Sequence, residues 1–316
     1  MSLTEEQRST LELMRSDNAR AGFPFAASEA WIREAGNFER VFDATGVDRV
    51  EQGYFNTRFS GVTKNDPRLY EWFISTFYFL LRGRDSLNLL DKVEATPADE
   101  APHAVTRGGA RIEFGVPLTI DGRRVSADLL FSVYDFYNLY ELDPAVATDA
   151  LIVGDLGAGW GRLGHLLLQV NPRIRYVIFD IPESLLVSSS YLPLLLPEVG
   201  HSRYAETRAI DSYTRDMLMG KALWFLASQD LARLPANAVD LMVNVASFQE
   251  MNAGQVNRYL EIFDEIAFGG HVYLRNEYIG GCSRIDEYRF PEGWLRKFSR
   301  DSAYSAQFHE GGWRVT

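Results

Sequence analysis

From residue 151 onward, short apolar runs alternate with stretches of helical spacing. The runs are Leu151-Ile152-Val153 leading into "GDL", then "RYVIFD" (175–180), "ALWFLA" (222–227), "DLMVNVA" (240–246) and "HVYLRNEY" (271–278). Near-continuous apolar runs are what strands covered on both faces require. Between them, "GRLGHLLLQV" reads as a helix stopped by Asn171-Pro172. "PESLLVSSSYLPLLL" (182–196) reads as a second helix, and "AGQVNRYLEIFDEIA" (253–267) as a third, ending before Gly269-Gly270. Strand and helix in alternation predict a parallel sheet with helices on both faces. Beyond residue 280 only two short strand-like runs stand out, "SAQFHE" and "WRVT".

The first half has another texture. Helical spacing covers 5–15, 28–44 and 67–82, the last with Asp66 and Pro67 at its start and Gly83 at its end. "RIEFGVPLTI", Asp121-Gly122 and "RRVSADLL" read as a hairpin about a turn dipeptide, and 126–142 returns to helix. Asp143-Pro144 opens a linker. The expected organisation is α/β: a mostly helical region with a small hairpin over 1–145, acting as a substrate-binding cap, and a cofactor-binding sheet domain over 146–316.

Ligands of such sheets bind beyond the carboxyl ends of the strands, so the residues just after each strand carry the chemistry. The first of these segments is "DLGAGWGRLG", Asp155 to Gly164. Its 159–164 portion satisfies G-x-G-x-x-G, which leaves a nicotinamide-dependent oxidoreductase open. However, an acid stands at the strand end, and glycines recur at every second residue, Gly157, Gly159 and Gly161. That pattern suits S-adenosylmethionine (SAM), a sulfonium cation with no phosphate. Asp155 would attract its positive end, while Gly157, Ala158, Gly159 and Gly161 would let backbone lie against it. Asp180, at the end of the second strand, is placed to hold a ribose or to cap the next helix. Gln229 and Asp230 follow the third strand, where an adenine edge would lie. Asn244, Ser247, Gln249 and Glu250 follow the fourth.

Taken together, "DLGAGWGRLGHLLL", "YVIFDIPESL" and "VDLMVNVASFQEM" resemble the sugar O-methyltransferases, a branch of the SAM-dependent methyltransferases with a Rossmann-like sheet. The general likeness covers about residues 150–280, and "NTRFSGVTKNDPRLYEW" (56–72) resembles the amino-terminal part of that family. The resemblance implies a SAM-binding domain and a sugar hydroxyl as acceptor. It also implies a sheet closed by an antiparallel pair, for which the sequence after 280 offers only the two short runs.

A hydroxyl acceptor needs a base. Glu250, directly after the fourth strand, is the first candidate and His309 the second. Of the other histidines, His165 sits in the helix after the glycine loop, and His271 starts the fifth strand at the end away from the cofactor. Tyr54, Asn56 and Arg58 in "GYFNTRFSG" are candidates for holding a sugar-containing acceptor, through an aromatic face and planar polar groups. No Cys/His cluster or H-E-x-x-H points to a metal. A non-catalytic protein on the same fold is the remaining alternative.

Composition narrows the partners. The formal net charge is -11, from 32 basic and 43 acidic residues, which argues against a nucleic-acid surface. The single cysteine, Cys282, and a start without a basic and apolar leader lead to the expectation of a reducing cytoplasm. No apolar stretch is long enough to suggest a membrane span.

Overall fold

The computed structural model describes residues 3–27, 67–93, 103–107, 110–114, 118–277 and 283–316. The helix expected over 28–44 and the acceptor candidates Tyr54, Asn56 and Arg58 lie outside the described residues, as does Cys282.

The apolar runs form the strands β5 (Ile152–Leu156), β6 (Arg175–Asp180), β7 (Leu223–Ala227), β8 (Leu241–Val245) and β9 (His271–Glu277), all parallel to one another. The seven-stranded sheet has the order β10-β11-β9-β8-β5-β6-β7. β10 (Leu295–Ser302) and β11 (Ser305–Arg314) form a hairpin, with β11 inserted antiparallel to β9. This is a Rossmann-like α/β sheet with an antiparallel closure. The chain winds from β5 out to β7, then crosses back to β8, so the switch point lies between β5 and β8.

Two cores lie on opposite faces and show the strand period of two. Tyr176 and Ile178 join one core, Val177 and Phe179 the other. The first face is covered by α1 (Glu5–Ala21), α2 (Pro67–Arg82), α3 (Ala127–Leu142), α4 (Arg162–Val170) and α5 (Pro182–Leu195). The second is covered by α6 (Ala253–Ile266). Among the described residues, no helix is long and apolar enough to cross a membrane.

Three local readings of the sequence are corrected. Residues 110–114 do not share a hairpin with 123–125. β2 (Ala110–Phe114) pairs instead with β1 (His103–Arg107), and the Asp121-Gly122 turn joins the short β3 (Leu118–Ile120) and β4 (Arg123–Val125). The helix expected over 5–15 runs on to Ala21, started by a reciprocal cap between Thr4 and Gln7. Finally, "SAQFHE" and "WRVT" are not two strands, because β11 runs through Gly311-Gly312, where the Trp313 ring folds back over Gly311. Its partner β10, "LRKFSRDS", has no apolar signal because it is an edge strand, and its charged side chains protect that edge.

The helix α3 is buried almost all round and carries polar residues inward. Asp135 accepts from Arg275 Nε at 2.7 Å and Nη2 at 2.8 Å, from Arg162 Nη2 at 2.6 Å and from the Tyr273 hydroxyl at 3.1 Å. Burial alone would raise this carboxyl, but the two guanidiniums hold it below the usual carboxylate range. Arg275 in turn lies 5.3 Å from the Tyr304 ring and 5.6 Å from Phe308. Beside it, Glu310 accepts from Tyr134, Asn138, Ser302 and Arg300. α3 is thus fastened both to the sheet and to the first residue of α4.

Asp135→Ala would leave Arg275 buried without its counter-ion. We expect a loss of about 3–5 kcal/mol in unfolding free energy, measured by chemical denaturation. A loss below about 1 kcal/mol would show that the cluster is dispensable for folding.

Candidate functional site

The first segment past β5 is a glycine loop whose shape is set by contact. Gly157 has φ of +77°, and a Cβ there would lie 2.1 Å from Ser247 Oγ. Its N–H bonds the Phe179 carbonyl at 2.8 Å. Gly164 lets α4 lie on β6, since a Cβ there would sit 2.4 Å from the Tyr176 ring. The loop is tied down at Trp160, which is buried and donates to Asp128 at 3.3 Å, and at Arg162, bonded to Ser132 and Asp135.

A cavity opens beside this loop at the strand tips. Leu156, Gly157, Asp180, Ser228, Ser247 and Glu250 line it from the ends of β5, β6, β7 and β8. Gln255 and Tyr259 of α6 and residues 24–27 close the other side. Its charged lining residues are both acids, Asp180 and Glu250; among the described residues, no Lys, Arg or His lines it.

Asp180 is held by two backbone donors, Gly159 N–H at 2.9 Å and Ile181 N–H at 2.8 Å. Even so, burial outweighs them and pushes its carboxyl up to about 8. Each oxygen keeps a second lone pair, which suits a ligand diol. Glu250 ends a short helical turn, Phe248–Glu250, at the exit of β8.

The remaining sequence candidates are placed as follows. Asp155 is on the α4 face of β5, where the Tyr176 hydroxyl donates to Oδ2. Burial pushes this carboxyl up to about 7. Its Oδ1 is buried and has no hydrogen-bond partner among the described residues. Ala158 and Gly161 shape the loop without lining the cavity, and Gly159 contributes its N–H to Asp180. Gln229 accepts from Asn18 at 3.1 Å. Asp230 faces inward, accepting from Ala227 N–H at 3.0 Å and paired with Arg233 at 2.9 Å. Asn244 is an internal strut, donating to Leu156 O at 2.8 Å and Ser247 Oγ at 2.9 Å, and accepting from Asn276 at 3.0 Å. Gln249 joins this strut to Glu277, whose N–H it accepts at 2.8 Å. His309 lies outside the cavity lining, on β11, between Ser299 Oγ at 2.8 Å and Asp301 at 3.2 Å. His165 is packed beside Trp160, and burial pulls it down to about 4, so it is neutral.

Sequence reasoning did not single out Ser228, Gln255, Tyr259 or residues 24–27 as cavity walls. Gln255 and Tyr259 sit among the inward positions of α6, which periodicity assigns to the core. Nothing in the sequence near Pro24 signals contact with residues more than 200 positions away.

No protein-family model matches the chain, and no curated protein sequence matches it. Among solved structures, it is similar to a SAM-dependent methyltransferase from Aquifex aeolicus, with 14% identity over 58% of this chain and 98% of that one, at a TM-score of 0.36. It is also similar to an O-methyltransferase family 2 protein from Planctomyces limnophilus DSM 3776, solved in complex with apigenin. That match has 15% identity over 60% of this chain and 62% of that one, at a TM-score of 0.36. A third match is the pyocyanin biosynthetic protein PhzM, with 17% identity over 60% of this chain and 58% of PhzM, at a TM-score of 0.36. The chain therefore spans less than two thirds of the latter two proteins.

Two outcomes follow from this geometry. Gly157→Ala should abolish ligand binding at the cavity by forcing the loop off Ser247, read by calorimetry against an unchanged circular dichroism spectrum. For Asp180, hydrogen bonds from a ribose diol favour the ionised carboxylate, whereas its raised value leaves it protonated below about pH 8. Nucleoside binding should therefore release a proton at neutral pH, and affinity should strengthen as pH rises towards 8 and then level off. Affinity that is flat from pH 6 to 9, with no proton release, would place the nucleoside elsewhere.

Proposed function

We propose that the chain is a SAM-dependent O-methyltransferase. The observation that carries this reading is the lining of the cavity. It sits at the strand tips beside the glycine loop and presents Asp180 and Glu250 with no lining cation among the described residues. Such a wall offers a pyrophosphate no cation to pair with, whereas a ligand that brings a positive charge and hydroxyl donors draws the Asp180 carboxyl to its ionised form. The reading of 159–164 as a dinucleotide loop loses support on the same grounds.

The residues divide the work. Gly157 lays bare backbone against the ligand, and Asp180 accepts from the ribose hydroxyls. When bound, the donor supplies a methyl group already activated by its positive sulfur. Glu250 takes the proton of the acceptor hydroxyl. The aromatic wall of Tyr259 and Phe25 limits the water that shares the cavity with the ligand. The acceptor we propose is a sugar hydroxyl in a small molecule, on the resemblance carried by "FDIPESL" and "SFQEM". We place the protein in the cytoplasm.

A thermal-shift panel tests the cofactor. SAM and its demethylated product should raise Tm, and NAD(P) should not. Stabilisation by NAD(P) alone would overturn the reading, and stabilisation by neither would favour a non-catalytic role. Glu250→Gln keeps the shape of the side chain and removes its basicity. It should preserve SAM binding and lower kcat on a sugar acceptor by about 10²–10⁴-fold. Parental turnover in that variant would remove Glu250 as the base, and a loss confined to KM would assign it to substrate holding.

A further inference from the structure

The amino-terminal helix ends over the cavity. Residues 22–27 leave α1 and cross the strand tips, held by side chains remote in sequence. Gln255 Nε2 donates to Pro24 O at 3.1 Å and Ala26 O at 3.2 Å. Asn18 Nδ2 donates to Phe25 O at 2.9 Å, and its Oδ1 accepts from Ala27 N–H at 3.3 Å. Ser228 Oγ donates to the same Phe25 carbonyl at 3.0 Å. The Phe25 ring meets Tyr259 edge-on at 6.0 Å.

With the segment in this position the cavity encloses about 40 Å³. One water needs on the order of 10–15 Å³, so the space suits about three waters. A ligand of nucleoside size needs roughly 300 Å³ or more. Something must move, and the candidates differ in how firmly they are held. The β5–β8 tips are cross-braced by Asn244 and Asn276. α1 is anchored along its length, with Arg15 paired to Glu183 at 2.8 Å and Asp17 accepting from Tyr204 at 3.0 Å. By contrast, residues 24–27 are held mainly through their backbone carbonyls. They begin at Gly22, whose φ of +64° and open surroundings make it a natural pivot.

We propose that residues 22–27 form a movable wall of the cofactor cavity. The wall swings out about Gly22 to admit a nucleoside-containing ligand, then closes over it with Phe25 against the ligand and Tyr259. Asn18 and Gln255 act as positioning residues for the closed state. The inference rests on the proposed cofactor but adds a wall contributed by the amino-terminal helix.

Hydrogen exchange on the intact protein, with and without S-adenosylhomocysteine, tests it. The amide of Ala27 bonds Asn18 Oδ1 at 3.3 Å, from the segment back to α1, and exchanges when the segment opens; the amides of Phe25 and Ala26 bond Gly22 O at 2.9 Å within the segment and exchange when the open segment frays. At a ligand concentration of 100 Kd, exchange at residues 25–27 should slow by about 100-fold, alongside protection of the glycine loop 157–161. Asn18 does not line the cavity, and Asn18→Ala should speed exchange at 25–27 in the ligand-free protein by about 10-fold, as expected for loss of the bonds it makes. Protection of the glycine loop without protection of 25–27 overturns the wall and leaves the cofactor reading standing. Protection of neither overturns both. Exchange at 25–27 that Asn18→Ala leaves unchanged contradicts the latch.

Discussion

One buried carboxylate, Asp135, ties together three parts of the chain that are far apart in sequence. It binds Arg162 at the start of the helix after the glycine loop and Arg275 on β9, and it sits on α3, which carries the amino-terminal region onto the sheet. A charge with no exposure to water needs full compensation. Two guanidiniums and a tyrosine hydroxyl supply it, and their geometry sets where α3, α4 and β9 lie. The position of the glycine loop follows from this clasp, because Arg162 is its next residue but one after Trp160 and cannot move without breaking the pair.

The same low dielectric has no such compensation at the tips of β5 and β6. Asp155 and Asp180 are also deeply buried, yet among the described residues no guanidinium hydrogen-bonds either of them, and burial pushes them up to about 7 and about 8. Carboxylates kept in that condition gain most from a ligand that brings positive charge or hydrogen-bond donors. The fold thus satisfies its acid fully at the structural clasp and leaves Asp180, which lines the cavity, to be satisfied by ligand. Gly157 and the close approach of Ser247 set the distance at which that ligand meets backbone.

The parallel sheet was legible because each of β5 to β9 is buried on both faces and so appears as an unbroken apolar run. β10 was not, since an edge strand needs charge rather than apolar content. Asp180 and Glu250 could be placed near the cavity because topology alone puts strand-end residues there. Asp155 was harder: its position at a strand end is legible, but its side chain faces Tyr176 under α4, a direction decided by which face of β5 it occupies. Asn244 and Asp230 read as ligand groups, whereas their hydrogen bonds go to neighbouring backbone and side chains. The wall formed by residues 24–27 left no local trace, because its partners Ser228 and Gln255 lie on the far side of the sequence.

The account depends on a cationic nucleoside lying between the glycine loop and Asp180. A crystal structure of the protein grown with SAM tests this most directly. The account predicts ribose hydroxyls on the Asp180 carboxylate, the methionine arm along Gly157, and the sulfonium on the Glu250 side of the cavity. Density for the ligand at any other surface, or a ribose turned away from Asp180, would contradict it.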